Sequence, residues 1–177
     1  GSVSVEMALR ADQGQVFAVE KKDDAVALLY ENKQRFAADN LEIIKGEAPE
    51  ALKELPVPTH AFIGGSSGNL KEIVALLLEK NRDVRIVINC ITLETISEAL
   101  EILKEYDFAD QEAVQLTASR SKEIGKYHLM MGENPIYIIT VQMLKTSEEV
   151  EEQAGGHCGG HRVGDRLGEE GGLRGDQ

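Results

Sequence analysis

The chain has no tryptophan, and aromatic residues make up only 5% of it. A platform of rings on which bases could stack is therefore not to be expected. Positive charge is scarce too: 19 Lys and Arg stand against 31 Asp and Glu, for a formal net charge of −12. Such a chain has no excess of cations to displace counterions from phosphates, which argues against general nucleic-acid binding. The two cysteines, Cys90 and Cys158, lie in unlike contexts and indicate no disulfide framework. No apolar run approaches the roughly 20 residues that a membrane-spanning helix needs. The first residues also lack the basic-then-apolar form of a signal peptide. These absences together predict a cytoplasmic protein with neither nucleic acid nor membrane among its partners.

What is present is ordinary for a globular chain: 177 residues, 42% apolar and 28% charged. That length suggests one domain able to bury its own core. The organising stretch runs from Thr59 to Val74. A short apolar run, Ala61 to Ile63, stops at Gly64-Gly65-Ser66-Ser67-Gly68, and apolar residues then recur at Leu70, Ile73, Val74 and Leu77. That spacing predicts a strand, a glycine loop and a helix. Asn69 has the side chain to cap the helix, with Glu72 three residues on to close a capping box. Loops at the carboxyl ends of strands are where open α/β sheets place their ligands, and unhindered backbone N–H groups suit an anionic or polar ligand. A tight turn that merely needs glycine explains the loop equally well.

The rest of the chain repeats this alternation. Val3, Met7 and Ala8 share a helix face, with Glu6 early in the helix. Gln15–Glu20 reads as a strand ending in an acid, and Asp23 to Phe36 as a helix with Asp23 and Asp24 in its first turn. Leu41–Lys45 is the next strand, ending at Gly46-Glu47-Ala48-Pro49. Val84–Cys90 is a nearly continuous β-branched run, as for a strand buried on both faces of a parallel sheet. Thr92 or Thr95 caps a helix whose face is Ile96, Leu100 and Leu103. Ala113–Ser119 and Pro135–Val141 read as strands joined without a helix, hence antiparallel. The pattern is an α/β three-layer sandwich with right-handed crossovers and a mostly parallel sheet whose last strand is antiparallel. Residues 1–142 form this domain. Residues 143–177 are expected to be an acidic, Gly-rich and disordered tail, with a short helix at most near its start. A domain that opens on a glycine and a helix, with no strand before it, reads as cut.

Few residues carry a chemical signal. Glu20, at the carboxyl tip of a strand after a Gly-opened helix, stands where an acid accepts hydrogen bonds from ribose hydroxyls; an exposed loop glutamate is the alternative. Glu47 and Ala48 end the next strand and either flank an adenine ring or form a plain turn. Arg120 and Lys122, with Lys126 and His128, form a compact basic cluster in an acidic chain. They read either as a clamp for a carboxylate-bearing substrate or as a solvated loop. His157, Cys158 and His161 have no fourth ligand and make a poor zinc site, so no metal is assigned. His60 and His128 stand singly, and no catalytic base is assigned.

Taken together, the stretches Gly1–Ala8, Val16–Glu20, Gly46–Pro49, Phe62–Ser66, Arg85–Thr95 and Asn134-Pro135 resemble the decarboxylating precorrin methyltransferases of cobalamin biosynthesis. The likeness runs from Gly1 to about Val141. It implies a Rossmann-like, S-adenosylmethionine-dependent enzyme that methylates C-15 of a precorrin or cobalt-precorrin and removes carbon dioxide from the ring C acetate. It further implies that Gly1 and Gly64 border the cofactor, Glu20 its ribose and Glu47-Ala48 its adenine, while Gly65 and Ser66 border the substrate. A tetrapyrrole partner follows, and so does self-association, because members are often oligomeric. The same likeness expects a first strand and earlier glycines ahead of Gly1. A same-fold methyltransferase for another small molecule and an inactive fragment are the competing readings.

Overall fold

Alternating strands and helices open the structure, a computed structural model that describes residues 1–66 and 68–143. The expectations for residues 144–177, the disordered tail and the His157, Cys158 and His161 group among them, lie outside the described residues. In chain order the elements are α1 (Ser2–Arg10), β1 (Val16–Glu20), α2 (Asp23–Arg35), β2 (Leu41–Lys45), a 3-10 turn (Glu50–Leu52), β3 (His60–Ile63), α3 (Leu70–Lys80), β4 (Arg85–Cys90), α4 (Leu93–Glu105), β5 (Asp110–Leu116), β6 (Ser119–Ile124), β7 (Tyr127–Gly132) and β8 (Ile136–Gln142). Gly1–Leu144 form one compact unit.

β1 and β2 pair in parallel, Val16 opposite Leu41 and Glu20 opposite Lys45. Facing pairs share one side of a sheet, so Val16, Ala18, Leu41 and Ile43 present a single apolar surface. Val5 and Ala8 of α1 and Leu29 of α2 close over it. The Asn40 amide fastens the end of α1 to this unit, with its Nδ2 2.9 Å from the carbonyls of Ala8 and Ala11 and 3.0 Å from that of Gly14. α2 ends in a hydrogen-bonded C-terminal turn, in which Ala38 N–H donates to the Lys33 carbonyl. Ala37 takes a φ of +50° there, where glycine is the usual residue.

The second sheet has the order β3-β4-β8-β5. β3 and β4 are parallel, while β8 runs antiparallel to both β4 and β5, so β5 points the same way as β4. One face carries Ile63, Ile86, Ile88, Cys90, Ile139 and Val141, and α3 and α4 cover it with Leu70, Ile73, Val74, Leu77, Ala99 and Ile102. Leu70, Val74, Ile86 and Val141 are completely buried. Each sheet keeps an outer edge beside its first strand. Val16 N–H donates to the Asn40 carbonyl and Glu20 C=O accepts from Gly46 N–H. By alternation, Phe17 and Val19 turn their backbone groups away from β2.

Several expectations are corrected. β4 is buried alternately rather than on both faces, because only one face meets the helices. In α1 the buried residues are Val5 and Ala8 rather than Val3 and Met7. The buried stripe of α4 is Ala99 and Ile102, with Ile96 and Leu103 partly buried and Leu100 exposed. The helix is rotated so that its small residue meets the sheet most closely. The strand expected over Ala113–Ser119 begins earlier, at Asp110, and ends at Leu116. The solvated loop weighed for Arg120 to His128 is instead a hairpin, β6 paired with β7 from Ser119↔Gly132 to Ile124↔Tyr127. Its turn uses Gly125 at a φ of +62°.

Helix caps show where local pattern reaches its limit. Thr92 caps α4 as expected, its Oγ1 accepting from Thr95 N–H at 3.2 Å. α3 forms no capping box: Asn69 makes no side-chain cap bond. The Glu98 carboxylate of α4 takes that place, accepting from the N–H groups of Leu70 at 3.0 Å and Lys71 at 3.4 Å. A carboxylate there both satisfies orphan donors and complements the helix dipole.

Two stability predictions follow from these contacts. Glu98→Ala is expected to cost about 1–2 kcal/mol in urea unfolding, as for loss of a good N-cap, and an unchanged midpoint would refute the capping role. Burial raises the Cys90 thiol pKa, so the fold disfavours its thiolate. The stability that follows is complete below the unfolded thiol value of about 8.5 and is lost as pH rises through the raised folded value. The stability difference between wild type and Cys90→Ala should therefore shrink from pH 8 to pH 10.5; a constant difference would refute it.

Candidate cofactor and substrate site

Parallel pairing places the carboxyl ends of β1 and β2 side by side, and the candidate residues gather there. Glu20 ends β1. One of its carboxylate oxygens accepts from Lys22 N–H at 2.9 Å, which orients the group and leaves the other oxygen to accept from a ligand. Gly46 N–H donates to the Glu20 carbonyl at 3.0 Å and carries the ladder one residue past β2. Lys21 then pairs with Glu47 at 2.8 Å, although both are roughly half exposed, so the pair contributes at most about 1 kcal/mol. Gly1 precedes α1, and a side chain there would meet Leu29: an added Cβ would lie 2.7 Å from Leu29 Cδ2.

A second set of contacts ties this corner to the glycine loop after β3. Asn69 Nδ2 donates to the Ala48 carbonyl at 3.3 Å, and Asn69 N–H donates to the Ser66 carbonyl at 3.0 Å. One side chain thus joins the loop after β2 to the loop after β3. Its expected role as a helix cap gives way to this bridge. Ala48 is half-buried and packs with Leu52 against the larger core, giving an apolar wall beside the acids. Gly64 and Gly65 are exposed and Ser66 is buried. Gly68 sits at a φ of +87°, a conformation that allows the chain to turn into α3. The first N–H groups of α3 are engaged by Glu98, so the anionic ligand expected at this helix end meets a carboxylate already in place.

The basic pair stands apart from these loops along the chain but on the same side of the sheet. β5 runs parallel to β4, so the β6–β7 hairpin leaves the sheet at the carboxyl edge, where the Gly64 loop also lies. Arg120 faces Met131 and Lys122 faces Leu129 across the hairpin, which puts both cations on one of its faces. Arg120 is largely exposed, and its Nε lies 3.6 Å from a Glu133 carboxylate oxygen.

Sequence reasoning missed Asn89. It is the polar residue next to last in β4, after the apolar run Ile86 to Ile88, and follows the last β3–β4 pair, Ile63↔Ile88. Its Oδ1 is buried and accepts no hydrogen bond among the described residues. The signal was an amide at the carboxyl end of a buried strand, where an apolar residue would pack better.

Comparison with known proteins places this geometry. The sequence model of the precorrin methyltransferase domain matches residues 1–143. The "Probable cobalt-precorrin-6B C(15)-methyltransferase (decarboxylating)" of Pyrobaculum calidifontis is 38% identical over 142 residues, which is 79% of this chain and 72% of that protein. The cobalt-precorrin-6B C(15)-methyltransferase (decarboxylating) of Salmonella typhimurium is 34% identical over 143 residues, covering 80% and 73% of the two chains. Among solved structures, the precorrin-6y C5,15-methyltransferase of Geobacter metallireducens superposes with a TM-score of 0.72 at 33% identity, over 81% of this chain and 74% of that one. A Thermotoga maritima S-adenosylmethionine-dependent O-methyltransferase shares the fold at a TM-score of 0.56 and 16% identity, over 77% and 53% of the chains. With an α/β fold common to these enzymes and a family match across most of its length, this chain belongs to the precorrin methyltransferase family.

Proposed function

We propose that the chain transfers a methyl group from S-adenosylmethionine to C-15 of a precorrin or cobalt-precorrin of the 6B type and decarboxylates the acetate on ring C. Residues 1–142 carry this activity, and the setting is the cytoplasm. The observation that carries the reading is the joining of Glu20, Glu47-Ala48 and the Gly64–Ser66 loop by hydrogen bonds at the carboxyl ends of β1, β2 and β3, in a chain whose relatives are named for that reaction.

The residues fit a nucleoside cofactor. Glu20 is held by Lys22 N–H with one oxygen left to accept from vicinal hydroxyls, an arrangement suited to ribose. Ala48, half-buried beside Leu52, offers a flat apolar contact for adenine, and Glu47 offers an acceptor at its edge. The family likeness assigns Gly1 and Gly64 to the cofactor as well. When bound, the cofactor supplies a sulfonium methyl that is already activated, so the protein's task is alignment and exclusion of water more than proton abstraction. A side chain added at Gly65 would meet nothing within 4 Å, and Ser66 anchors the loop through its carbonyl, which together shape the substrate side. Arg120 and Lys122 supply charge-assisted hydrogen bonds to substrate carboxylates. The conjugated macrocycle takes up the electron pair left as the ring C carboxylate departs as carbon dioxide, so the reading requires no catalytic base from the protein.

Calorimetric titration with S-adenosylhomocysteine tests the cofactor half of the reading. The expected result is saturable binding that Glu20→Ala weakens at least about tenfold, equivalent to about 1.4 kcal/mol; no binding by the chain, or equal binding by the variant, would overturn it. For the substrate half, Arg120→Ala with Lys122→Ala should weaken precorrin binding while leaving S-adenosylhomocysteine affinity unchanged. Unaltered precorrin affinity would remove both residues from the site.

A further inference from the structure

Among the described residues, Asn89 Oδ1 is the one buried side-chain oxygen or nitrogen without a hydrogen-bond partner. An unmade bond of this kind disfavours the fold, and an apolar side chain of similar shape would remove the cost. The neighbours invite such a replacement: Ile86, Val87 and Ile88 precede Asn89 in β4, and Ile138 faces it from β8. An amide kept against the packing preference of its own strand marks a position where function outweighs stability.

Strand register places this amide on the sheet face that α3 and α4 leave uncovered. Ile86, Ile88 and Cys90 point to the helices, so Val87 and Asn89 point the other way. Asn89 faces Ile138, and Ile138 faces Val114 of β5, which makes one row across three strands. Leu116, paired with Ile136, continues that face toward the carboxyl edge. Ile138 is half-buried, whereas Val114 is 39% and Leu116 51% exposed. Phe62 pairs with Val87 on the same face, and an added Cβ at Gly64 would lie 3.0 Å from its Cε1. Arg85, the cation on this face of β4, lies toward the other end of the strand and is paired with Asp110. At its carboxyl end the face is thus apolar, open and marked by one neutral amide. Oδ1 is the covered end of this half-buried residue, so the NH2 is the end that a ligand reaches. In strand order the row lies between the Gly64 loop, which follows β3, and the Arg120–Lys122 hairpin, which follows β5.

We propose that this face is the decarboxylation subsite, where the Asn89 NH2 donates to the substrate carboxylate that leaves as carbon dioxide. The inference rests on the reaction proposed above. A carboxylate in such surroundings sheds its water, and a neutral N–H holds it less firmly than a cation does. Loss of carbon dioxide removes the charge, so a site that binds the charge weakly favours the step, whereas a guanidinium or ammonium would stabilise the reactant. Carboxylates that stay on the macrocycle fall to Arg120 and Lys122. In the step, the bond between the acetate CH2 and its carboxylate breaks, and the electron pair enters the conjugated macrocycle. C-15 bonds to the incoming methyl and gives up its proton to water, while the CH2 takes a proton from water and becomes a methyl group. Charge balances, because one carboxylate and one sulfonium disappear together.

The rate of carbon dioxide release tests it, with the full chain supplied with S-adenosylmethionine and the 6B-type precorrin. Asn89→Leu is expected to slow release at least tenfold. Asn89→Lys should lower KM and yet slow release at least tenfold, because the cation holds the carboxylate in place. Release at the wild-type rate by either variant would overturn the subsite. Urea unfolding guards against a merely structural amide: Asn89→Leu should unfold at the same midpoint as wild type or a higher one, since it removes an unpaired buried oxygen. A lower midpoint would assign Asn89 to the fold and overturn the proposal. Titration with S-adenosylhomocysteine should find equal affinity in wild type and Asn89→Leu, and weaker binding by the variant would place the amide with the cofactor instead. An inactive wild type would overturn the proposed reaction and this subsite together, whereas an active wild type matched by Asn89→Leu would overturn the subsite alone.

Discussion

Parallel strand pairing is the constraint on which the rest of this structure depends. Strands that run the same way cannot be joined by a tight turn, so the chain must cross back over the sheet, and helices fill the crossings. In this protein α2 crosses between β1 and β2, and α3 between β3 and β4. The helices cover one face of each pair, and the loops that leave the carboxyl ends collect on one edge. Pairing sets the ends of β1 and β2 together, and the Asn69 bridge ties them to the Gly64 loop, although 44 residues separate Glu20 from Gly64 in sequence.

That edge is held by few bonds, and they are mostly between elements. Asn69 joins the loops after β2 and β3. Glu98 holds the start of α3 from the neighbouring helix. Both side chains act on backbone groups, which suits a site meant to present loops at fixed spacing rather than to supply reactive side chains. A methyl transfer from an activated donor needs that kind of framework, since geometry accounts for much of its rate. The electrostatics are compatible with the proposed roles: the Glu20 and Glu47 carboxylates are oriented by a backbone N–H and a lysine, and Arg120 and Lys122 stand on a separate hairpin.

The hairpin gives the molecule two unlike halves in chemical character. The helical body is acidic and closed over its two cores, whereas the hairpin is basic, apolar and open on both faces. The hairpin leaves the sheet at the same edge as the Gly64 loop.

Much was determined by the sequence itself. Regular spacing at Leu70, Ile73, Val74 and Leu77 specified a buried helix face, because an amphipathic helix has one way to hide its apolar stripe. Leu41–Lys45 and the acid at Glu20 marked strand ends through local pattern, and Gly64-Gly65 marked a loop through the absence of side chains. Family likeness in Phe62–Ser66 and Arg85–Thr95 supplied the activity, which no spacing could. Tertiary structure decided what depends on residues distant along the chain. Glu98 displaced Asn69 as the acceptor for the first N–H groups of α3, because a neighbouring helix brought its carboxylate there. Leu100 lost its expected burial to Ala99, since close helix–sheet packing favours the smaller residue. The stretch from Ser119 to Gly132 became a hairpin rather than a loop only through cross-strand register, and only the fold leaves the buried Asn89 oxygen without a partner among the described residues. Local periodicity determines which face of an element is apolar; only the assembled fold decides what that face, or a buried polar atom, meets.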